Sequence, residues 1–223
     1  NIKESSKSKA QVSKFNELRA QFKQPVILEN LDLSNKTLSG VNLESIIITD
    51  SNLSNTNLKN SILDSVQISG DLSNIDLQNS ILRNAVLRNA ILRDAELTYA
   101  NLTNADLRDA DLESADVRDA DLNYTDLTNA RLVDSNLTNT SFSFATLTNT
   151  YFENAILRNT DLIDADLSVA DFVSTDLIDA KLFTSDLTNA YFDNATLKNT
   201  HIPGLHMSVY LQYKGEVSCS TLQ

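Results

Sequence analysis

The chain has 223 residues and a formal net charge of -12, with only 4 Gly, 2 Pro and 1 Cys. So acidic a body disfavours direct nucleic-acid binding, because phosphates would meet net negative surface. The lone Cys219 excludes an intrachain disulfide framework, and no apolar run reaches the roughly 18 residues of a membrane span.

The N-terminal end differs from the rest. Residues 1–24 carry Lys3, Lys7, Lys9, Lys14, Arg19 and Lys23 against Glu4 and Glu17, a balance of +4 that leaves -16 on the remainder. Residues 1–7 read as disordered. Ser8-Lys9-Ala10-Gln11 has the form of a capping box, and Val12, Phe15, Leu18 and Phe22 follow roughly helical spacing until Pro25 stops it. The pattern predicts an amphipathic helix over 8–24 whose four apolar residues cap the first coil of the solenoid that follows. The rival, a helix for a membrane surface, has too few apolar residues to recommend it.

From Val26 the chain repeats every five residues. Leu28, Leu33, Leu38, Leu43, Ile48, Leu53, Leu58, Leu63 and Ile68 form a first register, and a second runs unbroken from Leu72 to Ile202. Neither a helix nor a strand has that period. Through the middle of the chain Ala85, Ala90, Ala95, Ala100, Ala105, Ala110 and Ala115 precede each large apolar residue by two. One large and one small side chain per unit describe the inner wall of a solenoid. With so few Gly and Pro, the corners fall to Asn, Asp, Ser and Thr. The registers meet at Ser69-Gly70-Asp71, where Gly70 is expected to take an unusual backbone conformation. Phe152, Phe172 and Phe192 recur 20 residues apart, which predicts rings stacked on successive coils.

The units ADLRD, ADLES, ANLTN and ADLSV resemble the A(D/N)LXX consensus of the pentapeptide-repeat proteins, a family especially abundant in cyanobacteria. The resemblance covers about residues 25–204. It implies an all-β solenoid, a right-handed quadrilateral β-helix with four units per coil and the central Leu or Phe inward. The 36 units then make nine coils, a rod about 43 Å long at the ~4.8 Å spacing of paired strands. Pro203-Gly204 ends the repeat, and residues 205–223 read as two short strands, Val209 to Tyr213 and Val217 to Leu222. They either cap the open end or pair with a second chain, so a monomer and an end-to-end homodimer both stay open.

No catalytic, cofactor or metal constellation emerges. His201, His206 and Cys219 lack the dense ligand spacing of a zinc site, and the aspartates lack the glycines of calcium-binding repeats. The surface columns carry more. At 20 residues per coil, Asp106 and Asp126, then Asp166 and Asp186, share one acidic face interrupted by Thr146, with Arg88 and Arg108 beside them and Arg93 set against Glu113. Apolar residues at outward positions, Tyr124, Phe144, Ile163, Val173, Ile178 and Phe183, form the candidate contact surface.

The expected function is a non-enzymatic scaffold or protein-protein interaction module with an unidentified protein partner. The alternative comes from the resemblance, since some members of the family protect DNA gyrase or other type II topoisomerases by imitating DNA. A cytoplasmic location is expected, with export to the periplasm or thylakoid lumen as the alternative if a signal peptide preceded Asn1.

Overall fold

The computed structural model describes residues 2–21 and 26–202. One helix, α1 (Ile2–Arg19), precedes three short parallel strands, β1 (Ile27–Glu29), β2 (Ile47–Asn52) and β3 (Gln67–Asp71), paired in the order β1-β2-β3. Beyond β3 the pairing continues as isolated parallel bridges, such as Asp106 with Asp126 and Lys181 with His201, each joining residues 20 apart. The chain thus winds as a β-helix whose coil holds four repeat units.

Apart from the units at Leu28, Ile48 and Ile68, which run into β1, β2 and β3, the units turn their corners in the same way. The carbonyl of the central residue accepts the N–H three residues on, as Leu87 does from Ala90 at 3.2 Å, and the residue before that donor has positive φ, as at Asn89 (φ 56). This is a type II turn. Asn, Asp and Ser fill most of these positive-φ positions because their short polar side chains tolerate the left-handed region best after Gly. Between corners each face holds one outward residue flanked by two inward ones, so long strands cannot form.

The inward residues make a continuous dry column. The repeated Leu and Ala are buried through the body of the rod, with Leu28, Leu33, Leu38 and Leu197 at its ends partly buried, and the Phe rings stack as the 20-residue spacing predicts. Phe152 and Phe172 lie 5.0 Å apart at 1° between planes, and Phe172 and Phe192 lie 4.9 Å apart at 11°. Where Thr replaces the inward Ala, its hydroxyl reaches back one coil: Thr150 donates to the Leu127 carbonyl at 2.9 Å, and Thr175 to that of Phe152 at 2.8 Å. A buried hydroxyl is tolerated because it is bonded.

At the register break the pairing steps from 20 residues, Ile48 with Ile68, to 19, Ser51 with Gly70. Gly70 has φ +119, and a Cβ there would sit 2.6 Å from the Ser51 carbonyl oxygen. Only glycine lets the two backbones approach so closely.

The N-terminal expectation needs correction on two points. The helix begins at Ile2 and ends at Arg19, so residues 2–7 are helical and Ser8 is not its N-cap. No Gly or Pro interrupts residues 2–19, so nothing local stops the helix at Ser8. The Ser8 hydroxyl donates instead to the Thr37 carbonyl. Leu18 also fails to reach the core and is 45% exposed, whereas Val12 is buried and Phe15 packs partly against the core. Phe22, the tail beyond Ile202, His206 and Cys219 lie outside the described residues.

Polar groups of α1 supply what a preceding coil would. In the next coil the Asn57 carbonyl accepts from Leu38, Ile62 N–H donates to Val41, and the Asp64 carbonyl accepts from Ser45. On the first coil the corresponding groups meet α1. The Thr37 carbonyl accepts from Ser8, Asn42 N–H donates to Asn16 Oδ1 at 2.8 Å, and the Glu44 carbonyl accepts from Arg19. An open sheet edge is covered in this way. The apolar part of the cover is looser, since a cavity of about 850 Å³ lies between Val12 and Phe15 of α1 and Leu28, Leu33 and Leu38 of the first coil.

Candidate functional site: an aromatic corner flanked by carboxylates

The aspartate preceding each central residue has a local task. Its Oδ1 accepts the N–H two residues on, as Asp126 does from Thr128 (3.0 Å), Asp166 from Ser168 (3.0 Å) and Asp186 from Thr188 (2.9 Å). Asn does the same, as Asn101 does for Thr103 at 3.0 Å. The second letter of A(D/N)LXX is therefore a turn acceptor, and its charge is incidental to that role.

Bridges place Asp106, Asp126, Thr146, Asp166 and Asp186 in one column. The column is not uniform in charge. Asp106 pairs with Arg88 at 2.5 Å and with Arg108 at 2.8 Å, and Arg108 also lies 3.5 Å from Asp126. Around the rod, Arg93 meets Asp111 (2.7 Å) and Glu113 (3.4 Å), and Arg131 meets Glu113 at 3.1 Å. Toward the C-terminal end the arginines run out: residues 121–202 hold twelve Asp or Glu against four Lys or Arg. Among the described residues no Lys or Arg lies within 4.0 Å of Asp121, Asp161, Asp166 or Asp186. Burial pushes the Asp166 carboxyl up, but hydrogen bonds from Ser168 and Thr148 outweigh it and hold the group below its ordinary value.

The apolar residues divide by corner. Residues 20 apart stack, so Tyr124 and Phe144 share one corner position and Ile163 and Phe183 the position beside it. Tyr124 and Phe144 are 56% and 49% exposed, and their rings lie 5.0 Å apart at 5°. Phe183 is exposed and tilts against His201, with centroids at 4.8 Å. Tyr124, Phe144, Ile163, Phe183 and His201 thus form a ridge that climbs one corner of the rod. Val173 and Ile178 are not part of it. With four corners per coil, Val173 turns the corner diagonally opposite Phe183 and Ile178 the one adjacent to it, because each five residues of chain advance one corner.

The ridge stands between two partly acidic columns. Asp126, Asp166 and Asp186 line the face that follows it, and Asp121 and Asp161 the face that precedes it. Its backbone is costly for the residues it carries. Tyr124 (φ 60) and Phe144 (φ 61) occupy the left-handed position, as do Tyr99 (φ 60) and Val169 (φ 60) elsewhere. Bulky or β-branched residues there are unfavourable by about 1–2 kcal/mol. The usual occupants gain from the position as well, since Asn129 donates to Asp109 at 3.0 Å and Asn149 to Asn129 at 2.9 Å, laddering up a corner.

Sequence reasoning missed His201 as a member of the ridge, and it missed the exposed Tyr99, Tyr151, Val169 and Tyr191. For Tyr99 and Val169 the signal was present: each replaces the polar residue that nearly every other unit places two after its central Leu.

The solved structures similar to this chain are pentapeptide-repeat proteins or share their fold. HetL of the cyanobacterium Nostoc sp. strain PCC 7120, a protein involved in heterocyst differentiation regulation, is 29% identical over 84% of this chain and 94% of its own, at a TM-score of 0.49. QnrB1, a plasmid-mediated fluoroquinolone resistance protein, is 16% identical over 80% of this chain and 89% of its own, at 0.48. A protein of the Arabidopsis thaliana thylakoid lumen is 28% identical over 61% of this chain and 68% of its own, at 0.29. No curated protein sequence matches the chain. Among the described residues, no helix is long and apolar enough to cross a membrane. The family model for pentapeptide repeats matches in 8 copies, over residues 27–70, 71–109, 100–139, 135–172 and 145–182. The five-residue period, the inward Leu and Ala and the 20-residue coil have their explanation in that match: the chain belongs to the pentapeptide-repeat family, whose fold is the right-handed quadrilateral β-helix.

Proposed function

We propose that the protein is a non-enzymatic interaction scaffold that engages a partner protein through the corner formed by Tyr124, Phe144, Ile163 and Phe183. The observation that carries this reading is the exposed Tyr124–Phe144 stack at positive φ. Two rings at this position oppose the local backbone preference and leave about half of each side chain in water. Strained, exposed aromatic residues are typical of contact sites rather than of packing.

Imitation of DNA is the weaker reading. It needs continuous negative charge, whereas Asp106 and Asp126 face Arg88 and Arg108, and Thr146 interrupts the column. The test is affinity capture from the source organism with the wild type and with the Tyr124→Asn/Phe144→Asn variant. Loss of the captured partner in the variant is expected. Retention of every partner contradicts the corner as the contact surface.

A further inference from the structure

The geometry points to arginine as the group this corner receives: the partner's contacting segment carries arginine side chains that stack on the Tyr124 and Phe144 rings and pair with the flanking aspartates. The inference rests on the corner being the contact surface and adds the chemistry of its occupant.

Three observations converge on that chemistry. The two rings are stacked on each other along the rod and about half exposed, so aromatic surface at the corner is open to a planar cation. The carboxylates on both sides, Asp121 and Asp161 on one face and Asp166 and Asp186 on the other, have no Lys or Arg of the described residues within 4.0 Å. This is the reverse of residues 83–118, where Arg83, Arg88, Arg93 and Arg118 each hold a carboxylate. Each flanking aspartate keeps Oδ1 on a backbone N–H of its own turn, as Asp161 does for Ile163 at 3.1 Å and Asp186 for Thr188 at 2.9 Å. The carboxylates are therefore held in place, with the second oxygen of Asp121, Asp161 and Asp186 available to a charged donor and that of Asp166 shared with the Thr148 hydroxyl at 2.9 Å.

A neutral apolar partner would leave those carboxylates to be desolvated without compensation, which is unfavourable. A lysine-bearing partner would satisfy the charge but meet the rings only as a strongly hydrated point cation, with no planar face to stack. Guanidinium is planar, weakly hydrated and forked, so one group stacks on an aromatic face while donating to a carboxylate. Coils repeat every ~4.8 Å, so Asp166 lies one coil beyond the level of Phe144, within the reach of an arginine stacked there.

The probe is a fluorescein-labelled peptide of four Arg-Gly-Gly repeats, compared with its Lys-Gly-Gly counterpart by fluorescence anisotropy on the full chain at near-physiological salt. The arginine peptide is expected to bind at least about fivefold tighter than the lysine peptide, as a stacked guanidinium requires. Tyr124→Asn and Phe144→Asn are expected to erase that preference while leaving the residual charge attraction. Asp166→Asn with Asp186→Asn is expected to weaken both peptides and flatten their salt dependence, because Asn retains the turn acceptor. Equal affinity for the two peptides, or a preference that survives Phe144→Asn, overturns the inference. A captured partner that is lost in Phe144→Asn yet is not displaced by the arginine peptide also overturns it, and leaves the contact reading standing. A partner retained by that variant overturns both.

Discussion

The ring of Tyr124 lies 5.0 Å from that of Phe144 with 5° between their planes, at two corner positions that both have positive φ. Elsewhere Asn and Asp occupy most such positions and ladder from coil to coil. Stacking returns about 0.5–1.5 kcal/mol for the pair, less than the backbone cost of about 1–2 kcal/mol for each of its two residues. The pair thus adds nothing to the stability of the fold, and its exposure is left for a contact to use.

The Tyr124→Asn/Phe144→Asn variant is therefore expected to melt at the same temperature as the wild type or above it. The change would place Asn at 104, 124 and 144 in one corner and extend the side-chain ladder. Thermal melts followed by circular dichroism check this. A loss of more than about 2 kcal/mol would mean that the rings hold the rod together.

The inward ladder sets the fold. Leu107→Asp buries a carboxylate in a fully apolar column and is expected to cost about 4 kcal/mol or to prevent folding. Arg108→Gln, one residue on, removes exposed ion pairs to Asp106 and Asp126 and is expected to cost about 1 kcal/mol or less. Urea unfolding of the two variants separates them.

The two described glycines with positive φ make a second contrast. At Gly40 (φ +75) nothing lies within 4 Å of an added Cβ, while at Gly70 (φ +119) the Ser51 carbonyl oxygen would be 2.6 Å away. Gly40→Ala is expected to cost about 1 kcal/mol through backbone strain alone. Gly70→Ala is expected to cost clearly more, about 3 kcal/mol, because the Ser51 backbone must also move. Equal losses in urea unfolding would contradict the close approach at the register break.

Acid sensitivity has one assignable source in Asp116. The hydrogen bond from the Arg118 side chain, Nε to Oδ1 at 2.7 Å, holds this carboxyl below its ordinary value against the opposing effect of burial. A folded value below the unfolded one means that the unfolded chain binds the proton first as pH falls. The stabilisation is complete above about pH 4 and is lost as pH falls through the folded value. Asp116→Asn, which keeps the turn acceptor, is expected to lose less stability than the wild type between pH 7 and pH 3. An identical loss in denaturant titrations would remove Asp116 as a source.

Much of the fold was legible because the repeat writes each inward position many times over. Leu107 and Ala110 are buried where the period of five placed them, Phe152 and Phe172 stack where the period of 20 placed them, and Gly70 turns where the registers meet. Part of what escaped depends on bonds across long stretches of chain. Ser8 looks like an N-cap locally, but its hydroxyl serves Thr37, 29 residues on. Asn16 carries no signal of its own, yet it takes the N–H of Asn42. Asp126 and Asp186 read as surface charge, whereas each first completes a turn. Val173 and Ile178 share coils with the ridge residues but turn different corners, a distinction that exposure alone does not reveal.

The most direct test of the corner as the contact surface is site-specific photo-crosslinking in cells of the source organism. A photoreactive phenylalanine analogue is placed at Phe144 in one strain and at Asn154, an exposed positive-φ position on the diagonally opposite corner, in another. A discrete crosslinked partner band from position 144 and none from position 154 is the expected result. The same band from both positions, or from position 154 alone, would contradict it.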